Sequence, residues 1–152
     1  MYNTENNTPK SEIDRRIANL QSLMAENDIE AALFLQRADL FYFSGTIQEA
    51  HLFMPVDGEA ILMVYKNFDR AIAESSLSRI VPLTSPKAIP QILRQFDHRL
   101  PQTIGMELDV LPVNLYRNYQ RMFADHQLVD VSHLVRLVRA LKSPYEIDIM
   151  RQ

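Results

Sequence analysis

The sequence predicts an α/β domain: a mixed β-sheet of about six strands with one antiparallel hairpin and helices on both faces. Three observations carry that expectation. Short apolar runs of strand length alternate with stretches whose apolar residues recur at helical spacing. Asp57-Gly58 stands between two apolar runs, the strongest short hairpin signal a sequence offers. A chain of 152 residues, 47% hydrophobic and 23% charged, suits one domain with a real core.

The elements follow in order. The first ten residues, MYNTENNTPK, are polar and read as a loose tail, which puts the domain at residues 11–142 and the start of something else at 143–152. Ser11 is a candidate N-cap with Asp14 three residues on. Ile13, Ile17, Leu20 and Met24 then form the apolar face of a helix ending near Asn27, with Arg15, Arg16 and Asn19 on the other face. AALFL at 31–35 is a continuous apolar run, as expected of a central strand covered on both sides.

After a connecting stretch, HLFMPV and EAILMVY form the hairpin around Asp57-Gly58, and Pro55 argues for an edge position or a bulge. The pattern is helical from Asn67 to Leu77, RIVPLT is a strand, and Ser85-Pro86 opens a helix with Ile89, Ile92, Leu93 and Phe96 inward. TIGMEL at 103–108 is the fifth strand, and Asp109 and Pro112 lead a helix carrying Leu115, Tyr119, Met122 and Phe123. QLVDV is the sixth, and Ser132 caps a helix with Leu134, Val135, Val138 and Leu141 on one face. Beyond Lys142, Ser143 as N-cap, Pro144 in the first helical position and Glu146 three residues after the cap announce one more helix.

Composition removes several function classes. The formal net charge is −3 and the sixteen Lys and Arg are scattered, which argues against nucleic acid as a partner. No apolar run reaches the length of a membrane span and the N-terminus lacks a signal-peptide core, so the reading is cytoplasmic, with no membrane partner. Without cysteine there is no disulfide, thiolate nucleophile or Cys-based zinc site. Gly45, Gly58 and Gly105 are too far apart for a dinucleotide or Walker loop. Gly58 serves the hairpin, Gly45 ends a turn, and Gly105 lets a helix approach its strand.

The candidate functional residues are few. His51, His98, His126 and His133 fall on four segments, none with metal-ligand spacing, so no metal site is assigned. His51 follows Glu49 by two residues and could share its face of a strand, next to the aromatic and polar stretch RADLFYFSGTIQE. Phe41, Tyr42 and Phe43 read as core anchors before ligand contacts. Ser44 lies outside a G-x-S-x-G frame and suits a turn hydrogen bond. Glu107 and Asp109 look like a carboxylate pair for acid–base work, but Asp109 as a helix cap and Glu107 facing solvent or a basic neighbour is the simpler account. From these residues alone no constellation amounts to an active site.

In order, RRIANLQSLMAENDIEAALFL, DLFYFSG, MPVDGEAILMV, IGMEL and LVRLVRALKSPYEIDIMR resemble the N-terminal domain of the creatinase, prolidase and aminopeptidase P family. Arg139, Lys142, Ser143, Glu146 and Ile147 fit the family's junction between domains. The resemblance implies a non-catalytic domain ahead of a larger one that holds two divalent metal ions, manganese, cobalt or zinc, on Asp, His and Glu side chains. That larger domain hydrolyses bonds before proline or a C–N bond of creatine. It further implies no catalytic residue and no metal ligand in this chain. The implied partners are its own C-terminal catalytic domain, whose first turns would be residues 143–152, and a second copy in a homodimer.

Loops of this domain in the family can reach a neighbouring active site, which makes Asp39, Tyr42, Ser44 and His51 the substrate-adjacent candidates. Many peptidases of the family have an Asn, two residues later an Arg, and then a Tyr; here the positions hold Asp39, Phe41 and Tyr42. The alternative reading is a free-standing α/β module that binds a small ligand.

Overall fold

The computed structural model describes residues 6–96 and 99–152; residues 1–5 of the expected tail, and His98, lie outside the described residues. Six strands form one sheet: β1 (Ala31–Phe34), β2 (Ala50–Pro55), β3 (Ile61–Val64), β4 (Arg79–Pro82), β5 (Thr103–Met106) and β6 (Gln127–Asp130). Their order is β4-β3-β2-β1-β5-β6. β2 is antiparallel to both neighbours and every other pairing is parallel, so the sheet is parallel apart from one reversed strand. Seven α-helices are found among the described residues: α1 (Lys10–Glu26), α2 (Arg37–Ser44), α3 (Phe68–Glu74), α4 (Ile89–Gln95) behind a 3-10 turn at Pro86–Ala88, α5 (Val113–Met122), α6 (Ser132–Ala140) and α7 (Pro144–Met150).

Strand side chains alternate between faces, and this divides the core in two. Ala32, Phe34, Leu52, Met54, Leu62 and Val64 pack with α1, α2 and α6 on one face. Leu33, Phe53, Ile61, Met63, Ile104 and Met106 meet α4, Tyr119 of α5 and Phe123 on the other. Burying each of these larger side chains stabilises the fold by roughly 1.5–3 kcal/mol, and β1 and β3 are buried at every residue.

The hairpin forms as expected, and Gly58 at its turn has φ +104°, a conformation a β-branched residue resists. Gly105 admits a close approach: a Cβ there would lie 2.9 Å from Cβ of Val131, just ahead of α6.

Several local expectations are corrected. α1 begins at Lys10 behind Pro9 and Ser11 lies inside it, because the Pro9 carbonyl already accepts from the Glu12 and Ile13 amides. Arg16, placed on the solvent face by periodicity, is buried. The connecting stretch after β1 is the helix α2, capped by Gln36 and closed by Gly45. Its aromatic run supplies two core anchors, Tyr42 and Phe43, whereas Phe41 is 44% exposed. Pro55 sits at the end of an interior strand. The Val56 amide donates to Glu30 on the β1 side and pairing with β3 stops at Phe53, so no ladder bond is asked of Pro55.

Neither Asp109 nor Ser132 caps a helix. α5 starts behind Pro112, and Ser132 is the first residue of α6, its amide taken by Asp130. Leu141 falls just past α6 and is exposed. The capping box at Ser143 and Glu146 is present in full.

Candidate functional site

β1, β5 and β6 run parallel, so their carboxyl ends share one edge of the sheet. The chain leaves β1 through α2 toward β2, and leaves β5 through α5 toward β6 on the other side. Connections that diverge from adjacent parallel strands open a crevice at their carboxyl ends, the usual ligand position in open α/β sheets. Here the crevice is a cleft of about 370 Å³ walled by Asp39, Glu107, Asp109, Ser132, Arg136 and Arg139. An apolar recess of about 200 Å³ adjoins it and shares Gln36 and Glu107 as walls.

Each charged side chain in the cleft has a partner. Asp39, buried on the first turn of α2, accepts from Nη1 of Arg139 at 2.9 Å. Asp109 accepts from the Ser132 hydroxyl at 2.6 Å and from Nη1 of Arg136 at 2.5 Å. Glu107 is the exception: its Oε1 is buried without a hydrogen bond. Burial, then the adjacent Asp39 carboxyl and the charge of Asp109, push its pKa far above the carboxylic range against the opposing pull of Arg139. Glu107 therefore keeps its proton at neutral pH and lends it to the pair with Asp39. The paired carboxyls are Glu107 and Asp39, not Glu107 and Asp109, and Glu107 is half-buried with the basic Arg139 near it.

Tyr42 lies one helical turn after Asp39 on α2 and extends this cluster inward. The guanidinium of Arg139 stands 5.6 Å from its ring centroid and that of Arg16 stands 4.2 Å away. Arg16 also donates to the Tyr42 carbonyl and to Glu12, and lies 3.2 Å from Glu146. Burial, and next the charge of Glu146, raise the Tyr42 pKa, and its hydroxyl has no hydrogen bond of ordinary geometry. For Glu12, burial works against its charge, but the hydrogen bonds from Arg15 and Ser143 and the two arginine charges more than offset it and hold its pKa low. The junction residues Arg139, Ser143 and Glu146 are thus tied to Asp39 and Tyr42 through two arginines.

The other two candidates are separate from this cluster. Ser44 is fully buried; its hydroxyl donates to the Leu40 carbonyl at 2.5 Å and accepts from the Thr46 amide, as a turn residue does. His51 alternates with Leu52 on β2 and therefore faces the opposite side of the sheet from Tyr42, where its Nε2 pairs with the hydroxyl of Tyr119 on α5. Glu49 is not its partner: that carboxylate is exposed and lies 3.8 Å from Lys66. Burial lowers the His51 pKa to about 4, so its imidazole is neutral.

Sequence reading missed Glu12, Arg16 and the Asp39–Glu107 pairing. The spacing of Glu12 and Arg16 suggests only an i, i+4 helix pair, and nothing in it shows that the pair is buried under α7.

Chemically, the cleft can hold a proton between two carboxyls and bind a polar group beside an apolar recess. The metal ions implied by the family resemblance find no donor set here. Among the described residues no group of three or more His, Asp or Glu is placed to hold a metal, Asp39 and Asp109 are committed to arginines, and Glu107 is protonated. Among the described residues no helix is long and apolar enough to cross a membrane.

A sequence model of the Creatinase/Prolidase N-terminal domain matches residues 16–141. Creatinase from Bacillus sp. (strain B-0618) is 26% identical over 155 residues, covering 93% of this chain and 37% of creatinase. Prolidase from Pyrococcus furiosus is similar in structure, with a TM-score of 0.72 and 25% identity over 86% of this chain and 40% of the prolidase. The Creatinase/Prolidase N-terminal domain of an X-Pro dipeptidase from Streptococcus pyogenes has the same fold, with a TM-score of 0.67 and 20% identity over 80% of this chain and 97% of that one. The chain thus spans well under half the length of the creatinase and the prolidase it matches.

Proposed function

The chain belongs to the Creatinase/Prolidase N-terminal domain family, and from that premise we propose that it is the non-catalytic N-terminal domain of a metal-dependent Xaa-Pro peptidase of prolidase or aminopeptidase P type. In this reading the domain occupies residues 11–142 and α7 opens the catalytic domain, where the two metal ions are bound. The domain supports a homodimer of the whole cytoplasmic protein and shapes access of substrate, with Asp39 and Tyr42 at the carboxyl-edge cleft and Ser44 holding the backbone behind them. His51 takes part from the opposite face of the sheet.

The observation that carries the proposal is the junction. The segment from Arg139 to Glu146 straddles the end of the family match at residue 141 and is tied to α1 and α2 through Asp39, Glu12, Arg15 and Arg16. A docked, fully capped helix start after the last core helix suits a domain that hands the chain on in a set direction.

The test is the reading frame downstream of Gln152, expressed whole and assayed on Xaa-Pro dipeptides and creatine with manganese or cobalt. The whole product should turn over an Xaa-Pro dipeptide and the 152-residue chain should not. Turnover by the short chain alone, or a frame without a domain bearing spaced Asp, His and Glu, would overturn the proposal.

A further inference from the structure

The pairing of His51 with Tyr119 leaves one proton without an acceptor. His51 is neutral and so carries a single ring proton. Its Nδ1 is buried with no hydrogen-bond partner, while Nε2 meets the Tyr119 oxygen. A proton on Nδ1 would be a buried N–H with nothing to receive it, which is rarer and costlier than a buried lone pair without a donor. With the proton on Nε2 it is donated to the Tyr119 oxygen, and the phenol's own proton is then the one left for a partner outside the pair. Tyr119 is only 3% exposed, and burial pushes its pKa up to about 12, so it stays a phenol rather than a phenolate.

Tyr119 also lines a cleft of about 730 Å³ between the Pro86–Ala88 turn with α4 on one side and α5 on the other, within the roughly 300–1,000 Å³ of small-molecule sites. Two more donors line the same cleft. Lys87 and Arg121 are exposed, and neither meets a carboxylate among the described residues, although Arg121 Nη1 lies 3.4 Å from Oδ1 of Asn118. Pro90 and Met122 supply apolar wall.

We propose that this cleft binds a small organic anion, a carboxylate or phosphate on a flat apolar body, with Lys87 and Arg121 holding the charge, Tyr119 donating its phenol proton, and Pro90 and Met122 covering the apolar part. Three donors line one cleft that holds no carboxylate, and an anion with an apolar body satisfies both the donors and the walls. The inference does not depend on the peptidase reading.

The experiment is a two-dimensional amide NMR titration of the 152-residue chain with benzoate, phenyl phosphate and, as the neutral control, benzamide. Both anions should produce saturable shifts centred on Lys87, Asn118, Tyr119 and Arg121, with affinity about tenfold or more above benzamide. The tighter of the two identifies the head group. The double variant Lys87→Gln/Arg121→Gln, exposed at both positions, should keep the rest of the spectrum and lose about tenfold in affinity. A long-range imidazole spectrum should place the His51 proton on Nε2. Equal affinity for benzamide and the anions, binding unmoved in the double variant, or a proton on Nδ1 would each overturn the proposal.

Discussion

The hydroxyl of Ser143 donates to Oε1 of Glu12 at 2.8 Å, joining residues 131 positions apart in a buried bond between α7 and α1. The same serine oxygen accepts from the Glu146 amide at 3.1 Å, so one side chain both caps α7 and docks it. Arg15 and Arg16 complete the contact from α1 toward Glu146. The first turn of α7 is therefore held, while Ile149 and Met150 farther along are exposed.

Replacing Ser143 with Ala removes a cap and leaves a buried carboxylate short of one donor. Ser143→Ala should cost about 1–2 kcal/mol in chemical denaturation, with faster amide exchange in α7 and little change in the sheet. An unchanged midpoint and slope would mean that α7 is not docked through this bond.

Gly105→Ala should destabilise by about 1–3 kcal/mol, because the new methyl meets Val131 Cβ at 2.9 Å and its neighbour is backbone-anchored. Adding Val131→Gly, which removes that Cβ, should cost less beside Gly105→Ala than it does alone. If the two changes are merely additive, close approach is not the reason for the glycine.

Glu107 gives a pH-dependent outcome whose sign follows from its raised pKa. The folded state binds the proton more tightly than the unfolded one, so this group's contribution falls as pH rises from about 4.5 toward the folded value. Glu107→Gln keeps the neutral shape and should raise stability by at least about 1 kcal/mol at pH 8, with the gain vanishing near pH 4. A gain independent of pH would point to packing rather than ionisation.

His51 shifts the other way. Its pKa falls from 6.5 to about 4 through burial, so the stability it contributes is whole above pH 6.5 and is lost as pH falls toward 4. Its ring resonances should hold their neutral positions down to about pH 5. Titration centred near the ordinary histidine value would show that the ring reaches solvent and that its bond to Tyr119 is not maintained.

The sequence by itself determined the periodic parts of this protein. The apolar runs placed all six strands, Asp57-Gly58 placed the hairpin, the spacing of Ile13, Ile17, Leu20 and Met24 defined the buried face of α1, and Ser143 with Glu146 marked α7. Each of these is a local signal, because strand and helix periods and capping geometry act over a few residues. Where local rules competed, reading slipped by a position or two: Pro9 displaced Ser11 as the start of α1, and Asp130 took the amide of Ser132. The helix α2 stayed hidden because eight residues with aromatic groups on several faces show no clean apolar stripe.

Only the tertiary structure decided which polar groups meet. Glu12 with Ser143, Asp39 with Arg139 and with Glu107, and His51 with Tyr119 all join distant segments, and no spacing in the chain encodes those distances. Sheet order brings them together: insertion of β1 between β2 and β5 sets Asp39 beside Glu107, and the alternation of β2 turns His51 away from both. Burial then settles their protonation, because the cost of a charge depends on what surrounds it rather than on its neighbours in sequence.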